Sequence, residues 1–237
     1  MSKKPVYILY AFLILAFIPL ALGWIKIDSK KQETSENVAS GHVSNTQISP
    51  NNSEPAPLIA EISKAAPNFE AIDIHGNKFN LEEQKGKIVV LEWTNHKCPF
   101  VRKHYSTGNM QKTQKIATDN GVIWVSIVSS APGKQGYITP EEALKIEEEV
   151  GSNATTRILD PTGEIGRLYG AKTTPHMFVI SAQGNIEYIG AIDDKSSPNP
   201  KTIDSAENLV LSALDALSQG HKVEIPLTAP YGCSVKY

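Results

Sequence analysis

Apolar and polar positions along this chain follow two periods, and each predicts a different element. Phe69 to Ile74 alternates apolar and polar side chains and runs into His75-Gly76-Asn77, which predicts a hairpin. Ile88-Val89-Val90-Leu91, continuing to Trp93, is a β-branched run suited to a strand buried on both faces, and Val122 to Val128 is a second one. Pro99 predicts a helix start directly after Cys98, because a proline at the first helical position loses no needed N–H. That helix is expected to reach about Asp119, with Gly121 stopping it. Thr139-Pro140-Glu141-Glu142 reads as a capping box opening a helix to about Val150. Ile158-Leu159 predicts a strand end, Glu164 to Tyr169 a short helix, and Met177 to Ile180 a strand that turns through Ala182 to Asn185 into Ile186 to Ile189. From Ser205 to Leu217, apolar residues at Ala206, Leu209, Val210, Ala213, Leu214 and Leu217 form a helical stripe. Alternating strands and helices predict an α/β fold, and residues 222–237, with Pro226 and Pro230, are expected to be an irregular tail.

The start of the chain follows neither period. Pro5 to Ile25 carries no charged side chain, follows Lys3-Lys4, and is long enough to span a hydrocarbon core of roughly 30 Å. A transmembrane anchor over 1–27 with the lysines on the cytoplasmic side would export everything that follows, to the periplasm or another extracytoplasmic space. The alternative is a cleaved signal peptide with Ala21-Leu22-Gly23 as its small-residue site. No cysteine follows the apolar run, which excludes lipoprotein attachment. Residues 28–59 are rich in Ser, Asn, Gln, Glu and Pro and cannot bury enough surface to offset their ordering entropy, so they are expected to form a flexible linker. One domain, over 60–221, remains.

Composition narrows the chemistry. With 23 basic and 25 acidic residues the formal net charge is −2, so there is no basic footprint for nucleic acid. Only two cysteines occur, Cys98 and Cys233, too few for a disulfide-dense scaffold, an iron–sulfur centre or a four-cysteine zinc site. Cys98 stands between a buried strand and a helix start, where unpaired N–H groups and the helix dipole favour a thiolate. His96, Lys97, Arg102 and Lys103 would add positive charge, and thiols so placed have pKa values of roughly 3.5–7.5. A half-buried structural cysteine is the bland alternative.

The order of several short motifs resembles the redoxin (AhpC/TSA-type) branch of the thioredoxin superfamily. They are Ala66-Pro67-Asn68-Phe69, Gly76, Leu81, Gly86-Lys87, the strand into Trp93, Asp160-Pro161-Thr162-Gly163, Leu168-Tyr169-Gly170, Thr174-Pro175 and Gly190-Ala191-Ile192-Asp193. The resemblance covers about residues 65–220 and is nearest to peroxiredoxin-like proteins with a cysteine at the first CxxC position. It implies a thioredoxin-like fold, with a central mixed sheet flanked by helices, an N-terminal hairpin, and thiol–disulfide oxidoreductase activity without an organic cofactor. By position, Cys98 matches the attacking cysteine, Pro175 the cis-proline facing it, and Glu92 a buried carboxylate that exchanges protons with the site. Burial without a partner would raise that carboxyl's pKa. Trp93 matches an aromatic beside the site, and Thr174 and His176 flank the substrate groove. The expected partners are protein or small-molecule thiols and disulfides.

Two departures qualify the resemblance. Val101 occupies the second CxxC position, and Leu91 and Asn95 stand where the peroxiredoxin Pro-x-x-x-Thr-x-x-Cys pattern has Pro and Thr, which puts peroxidase activity in doubt. Any resolving thiol must then be distant, and Cys233 is the candidate, either as a redox partner of Cys98 or as its permanent staple. Two other functions stay open: copper handling, with His96, His176, Met177 and Cys233 as soft ligands, and a non-catalytic binding domain. No metal site is assigned. Asp193-Asp194 reads as a solvated loop.

Overall fold

The computed structural model describes residues 60–237. The expected membrane segment and the whole of the expected linker lie outside the described residues. Within them, no helix is long and apolar enough to cross a membrane.

The chain opens with the hairpin β1 (Glu70–Ile72) and β2 (Lys78–Asn80), closed by Asp73, whose carboxylate accepts from the His75 and Asn77 amides at 2.9 and 2.8 Å. The main sheet has five strands: β3 (Val89–Trp93), β4 (Ile123–Val128), β5 (Thr156–Leu159), β7 (His176–Ile180) and β8 (Ile186–Gly190). Their order is β5-β4-β3-β7-β8. The pairs β3–β4 and β4–β5 are parallel, and β3–β7 and β7–β8 are antiparallel. Strand β3 is central and wholly buried, which its β-branched composition suits.

Side-chain alternation divides the core in two. On one face Leu91, Trp93, Ile127 and Phe178 pack with Phe69 and Phe79 of the hairpin and with Ile165 and Tyr169 of helix α4 (Glu164–Tyr169). On the other, Val90, Trp124, Met177 and Val179 meet Met110 and Ala117 of α2 (Asn109–Asp119) and Val210 and Ala213 of α5 (Leu209–Ser218). Helices α1 (Pro99–Ser106) and α3 (Pro140–Val150) complete the layers, and the Thr139–Glu142 capping box is formed in both directions.

Two expected helices differ. The single helix from Pro99 to Asp119 is divided at Gly108, which takes φ +76°, a left-handed conformation that glycine enters without strain. The Thr107 hydroxyl meanwhile donates back to the Lys103 carbonyl at 2.9 Å, closing the end of α1. The last helix starts at Leu209 instead of Ser205, because the Asn208 side chain accepts from the Leu211 N–H as its cap and Pro200–Ser205 forms a separate 3-10 turn.

The tail is irregular in secondary structure but bound along its length. The Pro226 carbonyl and Thr228 N–H pair with Ile189, the Thr228 hydroxyl accepts from the Ala191 N–H at 3.0 Å, and Ala131 donates to the Lys236 carbonyl at 2.8 Å. Its short strand β9 (Cys233–Ser234) pairs with β6 (Thr173–Thr174), and Tyr237 lies against α4 with its hydroxyl on the Ala171 carbonyl.

A buried charge pair ties this tail to α1. Lys103 and Asp193 meet at 3.2 Å with side chains 0% and 2% exposed, and the Tyr231 hydroxyl donates to the same carboxylate. Asp193 is therefore not in the solvated loop expected for it. Its neighbour Asp194 is on the surface with Lys195. Lys103→Met leaves a buried carboxylate without its cation, so urea unfolding of this variant should show a loss of about 3–5 kcal/mol. Removing Asp193 as well (Lys103→Met with Asp193→Leu) should recover part of that loss.

Candidate active site

Cys98 is the N-cap residue of α1, in an extended conformation, with Pro99 as the first helical residue. The loop before it is held by Asn95, whose side-chain oxygen accepts from the Lys97 N–H at 2.9 Å and whose backbone carbonyl accepts from the Cys98 N–H at 2.9 Å. Burial of the thiol is complete. Opposite it stands the cis peptide Thr174-Pro175, and the thiol donates to the Thr174 carbonyl at 3.1 Å.

The antiparallel pairing of Thr174 with Cys233 brings the second thiol to the same place. Residues about 135 positions apart in sequence thus bring two free thiols together, close enough that the ionisation of each depends on the other. Their ionisation is split. Burial opposes ionisation of Cys98, but hydrogen bonds from the Cys233 thiol, the Thr174 side chain and the Val101 and Cys233 backbone outweigh it, and its pKa lies below that of an ordinary thiol. Burial, together with the hydrogen bond and charge of Cys98, pushes Cys233 up to about 11. A thiolate at one sulfur and a proton on the other is the arrangement that a single shared hydrogen bond favours.

Of the four cations expected to activate Cys98, Lys97 and Arg102 are exposed to solvent and the other two are withdrawn. Lys103 is consumed by Asp193, and burial together with the charges of Lys97 and Arg157 lowers the pKa of His96, so that ring adds no full charge at neutral pH. Hydrogen bonds, rather than a cluster of cations, favour the Cys98 thiolate.

The other predicted residues take up different positions. Glu92 is fully buried on the helix face of β3, where its carboxylate accepts four bonds: Tyr105 at 2.9 Å, Trp124 at 2.8 Å, and Gln114 and Ser126 at 3.1 Å each. None of these four donors bonds Cys98. Trp93 points to the opposite face, with its ring against Tyr169 and Phe178 and its N–H on the Ser129 hydroxyl at 3.0 Å, inside the aromatic core. His176 follows the cis-proline but is buried against Phe178. Its Nδ1 accepts from the Lys172 N–H at 3.3 Å, and burial followed by the Lys172 charge lowers its pKa to about 4. Met177, next on the same strand, faces the other core. The soft ligands considered for copper are thus divided between faces, and among the described residues no three His, Cys, Asp or Glu side chains are grouped to hold a metal.

Sequence reasoning missed Gly232 and Tyr231, which set the position of Cys233. Gly232 has φ +134° and lies against the Thr174 carbonyl so closely that any side chain there would overlap it. The sequence signal was the Tyr-Gly-Cys triplet itself, a glycine beside a functional residue where two backbones approach.

A model of the AhpC/TSA family matches residues 62–189. The chain belongs to the AhpC/TSA family. Solved structures show the same thioredoxin-like fold. An uncharacterized conserved protein from Geobacillus kaustophilus is 26% identical with a TM-score of 0.64, over 76% of this chain and 93% of that one. A hypothetical protein from Sinorhizobium meliloti is 21% identical with a TM-score of 0.62, over 75% and 94%. A putative protein disulfide isomerase from Bacteroides thetaiotaomicron is 19% identical with a TM-score of 0.51, over 68% and 92%. No curated protein matches the sequence. This AhpC/TSA member departs from a CxxC site by setting its second thiol on the tail and Val101, fully buried, in the local position.

Proposed function

We propose that this AhpC/TSA protein is a thiol–disulfide oxidoreductase in which Cys98 attacks and Cys233 resolves. The observation that carries the reading is the pair of free thiols that the Thr174–Cys233 strand pairing brings together at the start of α1, facing the cis Thr174-Pro175 peptide. The Cys98 thiolate attacks one sulfur of a substrate disulfide. A Cys98–substrate S–S bond forms, the substrate S–S bond breaks, and the departing thiolate takes a proton from solvent. Cys233 then attacks Cys98 and releases the second substrate thiol, leaving a Cys98–Cys233 disulfide and a substrate reduced by two electrons. A dithiol donor returns the protein to its starting state, and the same steps in reverse oxidise a dithiol substrate.

The split ionisation fits this order. At neutral pH a thiol with a pKa near 11 does not attack, so Cys233 stays silent while Cys98 is free. Once Cys98 is in a mixed disulfide it carries no charge, and part of what holds the proton on Cys233 disappears. The resolving thiol is thereby activated by the first step. Thr174 shapes the groove through its carbonyl, and Pro175 keeps that carbonyl turned to the sulfur. We assign Glu92 the role of a buried carboxylate that tunes the site through the helices, and Trp93 and His176 that of supporting its floor. The substrates are thiols and disulfides of proteins or small molecules. The apolar segment at residues 5–25 tethers the domain on the extracytoplasmic side, where a disulfide persists. Carbonate-resistant sedimentation with membranes supports the tether, and release into the soluble fraction overturns it.

The test is equilibration of the protein in glutathione buffers of graded potential, followed by acid quench and mass-spectrometric mapping. A Cys98–Cys233 disulfide is expected, absent in Cys98→Ser and Cys233→Ser. Iodoacetamide should label Cys98 at neutral pH faster than an unfolded peptide thiol and leave Cys233 unlabelled. Equal labelling of Cys98 and the peptide, with no disulfide at any potential, leaves a thioredoxin-fold binding domain instead.

A further inference from the structure

The tail carries Cys233 between two tyrosines, each seated on a different element. Tyr231 is buried against α1, with its ring 5.8 Å from that of Phe100 and its hydroxyl on Asp193. Tyr237 is seated on α4. A Cβ on Gly163 or on Gly166 would overlap its ring, so these two glycines make room for it. The Arg167 guanidinium covers the ring at 4.7 Å and is itself held by the Thr162 carbonyl at 2.6 Å. The Tyr237 hydroxyl donates to the Ala171 carbonyl at 2.8 Å. Asp160 braces the seat, since one carboxylate oxygen accepts from the Gly166 N–H at 2.9 Å and from the Ser129 hydroxyl at 2.6 Å. None of these groups is hydrogen-bonded to either sulfur.

The stretch between the two tyrosines has little to hold it by itself. Strands β6 and β9 are two residues long each, and a ladder of that size is not stable in water without support. The Val235 N–H adds a bond to the Lys172 carbonyl at 3.0 Å, and the Lys236 carbonyl accepts one from Ala131. Anchors at both ends are what keep Cys233 beside Cys98. They are unequal. Tyr231 is 9% exposed and joined to the buried Lys103–Asp193 pair, whereas Tyr237 is 36% exposed. From Cys233 to Tyr237 the chain spans at most about 14 Å, too short a reach for one end to leave its seat and the other to stay unmoved.

We propose that Tyr237 is a positioning residue for the resolving step: its seat on α4 sets the effective concentration of the Cys233 sulfur at Cys98. The inference rests on the reading of Cys98 and Cys233 as a redox pair. With glutathione disulfide as oxidant, Cys98 first forms a mixed disulfide and releases one glutathione thiol. The Cys233 sulfur then attacks Cys98, a Cys98–Cys233 bond forms, and the Cys98–glutathione bond breaks. The second glutathione leaves as a thiol with the proton that Cys233 gives up. When Tyr237 is out of its seat the second step slows and the mixed disulfide accumulates, while the first attack still proceeds.

The full chain in detergent, reduced and then brought to equilibrium at graded ratios of oxidised to reduced glutathione, tests this by mass spectrometry after acid quench. Tyr237→Ala is expected to lower the equilibrium constant for the Cys98–Cys233 disulfide by at least about tenfold, the worth of one docked aromatic ring with its hydrogen bond, and to populate the Cys98–glutathione mixed disulfide. Tyr237→Phe, which keeps the ring and gives up one hydrogen bond, should stay within about fivefold of the unaltered protein. Arg167→Gln uncovers the ring without altering the tail and should cost about threefold; it decides the matter if Tyr237→Ala does not fold. A purely structural role would lower the melting temperature and leave the ratio of mixed to internal disulfide unchanged. No disulfide in the unaltered protein overturns the redox reading and this inference with it. An unchanged constant and no mixed disulfide in folded Tyr237→Ala, or an unchanged constant in Arg167→Gln where that variant decides, overturns this inference alone.

Discussion

Between pH 6.5 and pH 4 the folded domain should lose about 6 kcal/mol of stability, half from each of two histidines. His104 is wholly buried on α1, and its pKa is lowered to about 4 by burial, with Asp193 opposing and Lys103 reinforcing the shift. His176 is lowered to about 4 by burial and by Lys172. In an unfolded chain both rings take a proton near 6.5. As the pH falls through that value the unfolded state gains protons that the folded state refuses, so the contribution of the two rings is full above pH 6.5, declines steadily, and levels off below pH 4. Each shift of about 2.5 units corresponds to about 3 kcal/mol at the conversion of 1.36 kcal/mol per unit. Urea unfolding at pH 7.0, 5.5 and 4.5 checks the slope. His176→Phe, which places a ring of similar breadth against Phe178, should remove about half of it. An unfolding free energy that stays flat from pH 7 to 4.5 would show that these rings take up protons in the native state.

Much of this fold is written locally. The β-branched runs at Val89–Trp93 and Ile123–Val128, the Thr139 capping box and the Cys98-Pro99 helix start each depend on neighbours within a few residues, and each stands where the pattern puts it. The breaks at Gly108 and Asn208 were legible as single residues but not as decisions, since a lone glycine is tolerated in a helix and a lone asparagine need not cap one. What lay beyond local pattern was the destination of charge. Lys103 reads as a cation near Cys98, yet it binds an aspartate about 90 residues away. Glu92 receives its four bonds from α1, α2 and β4, and no periodicity announces a carboxylate so enclosed. The two-residue strand β9 is likewise too short to show any period, so the position of Cys233 follows from tertiary pairing alone.

Gly232→Ala should slow formation of the Cys98–Cys233 disulfide by at least about a hundredfold while leaving Cys98 reactive toward alkylating agents. The reason is local. At φ +134° a side chain is strained, and here the new methyl falls on the Thr174 carbonyl oxygen, the same atom that accepts from the Cys98 thiol. Backbone, not a flexible side chain, occupies the space, so the β6–β9 pair must open and carry Cys233 away. Proximity contributes many orders of magnitude to a reaction between two held groups, and a displacement of about 1 Å is enough to cost a hundredfold. Cys98 would at the same time lose the hydrogen bonds from Cys233 that favour its thiolate, so its alkylation profile should move to higher pH. Gly220→Ala is the control: at φ +74° it has a similar backbone cost but meets no atom within 4 Å, so it should destabilise by about 1 kcal/mol and leave the disulfide rate unchanged. Stopped-flow oxidation by oxidised dithiothreitol, read by mass spectrometry, separates the two. Equal rates in both variants would mean that the tail carries Cys233 to its partner from some other position, and that the pairing of Thr174 with Cys233 is not what brings the sulfurs together.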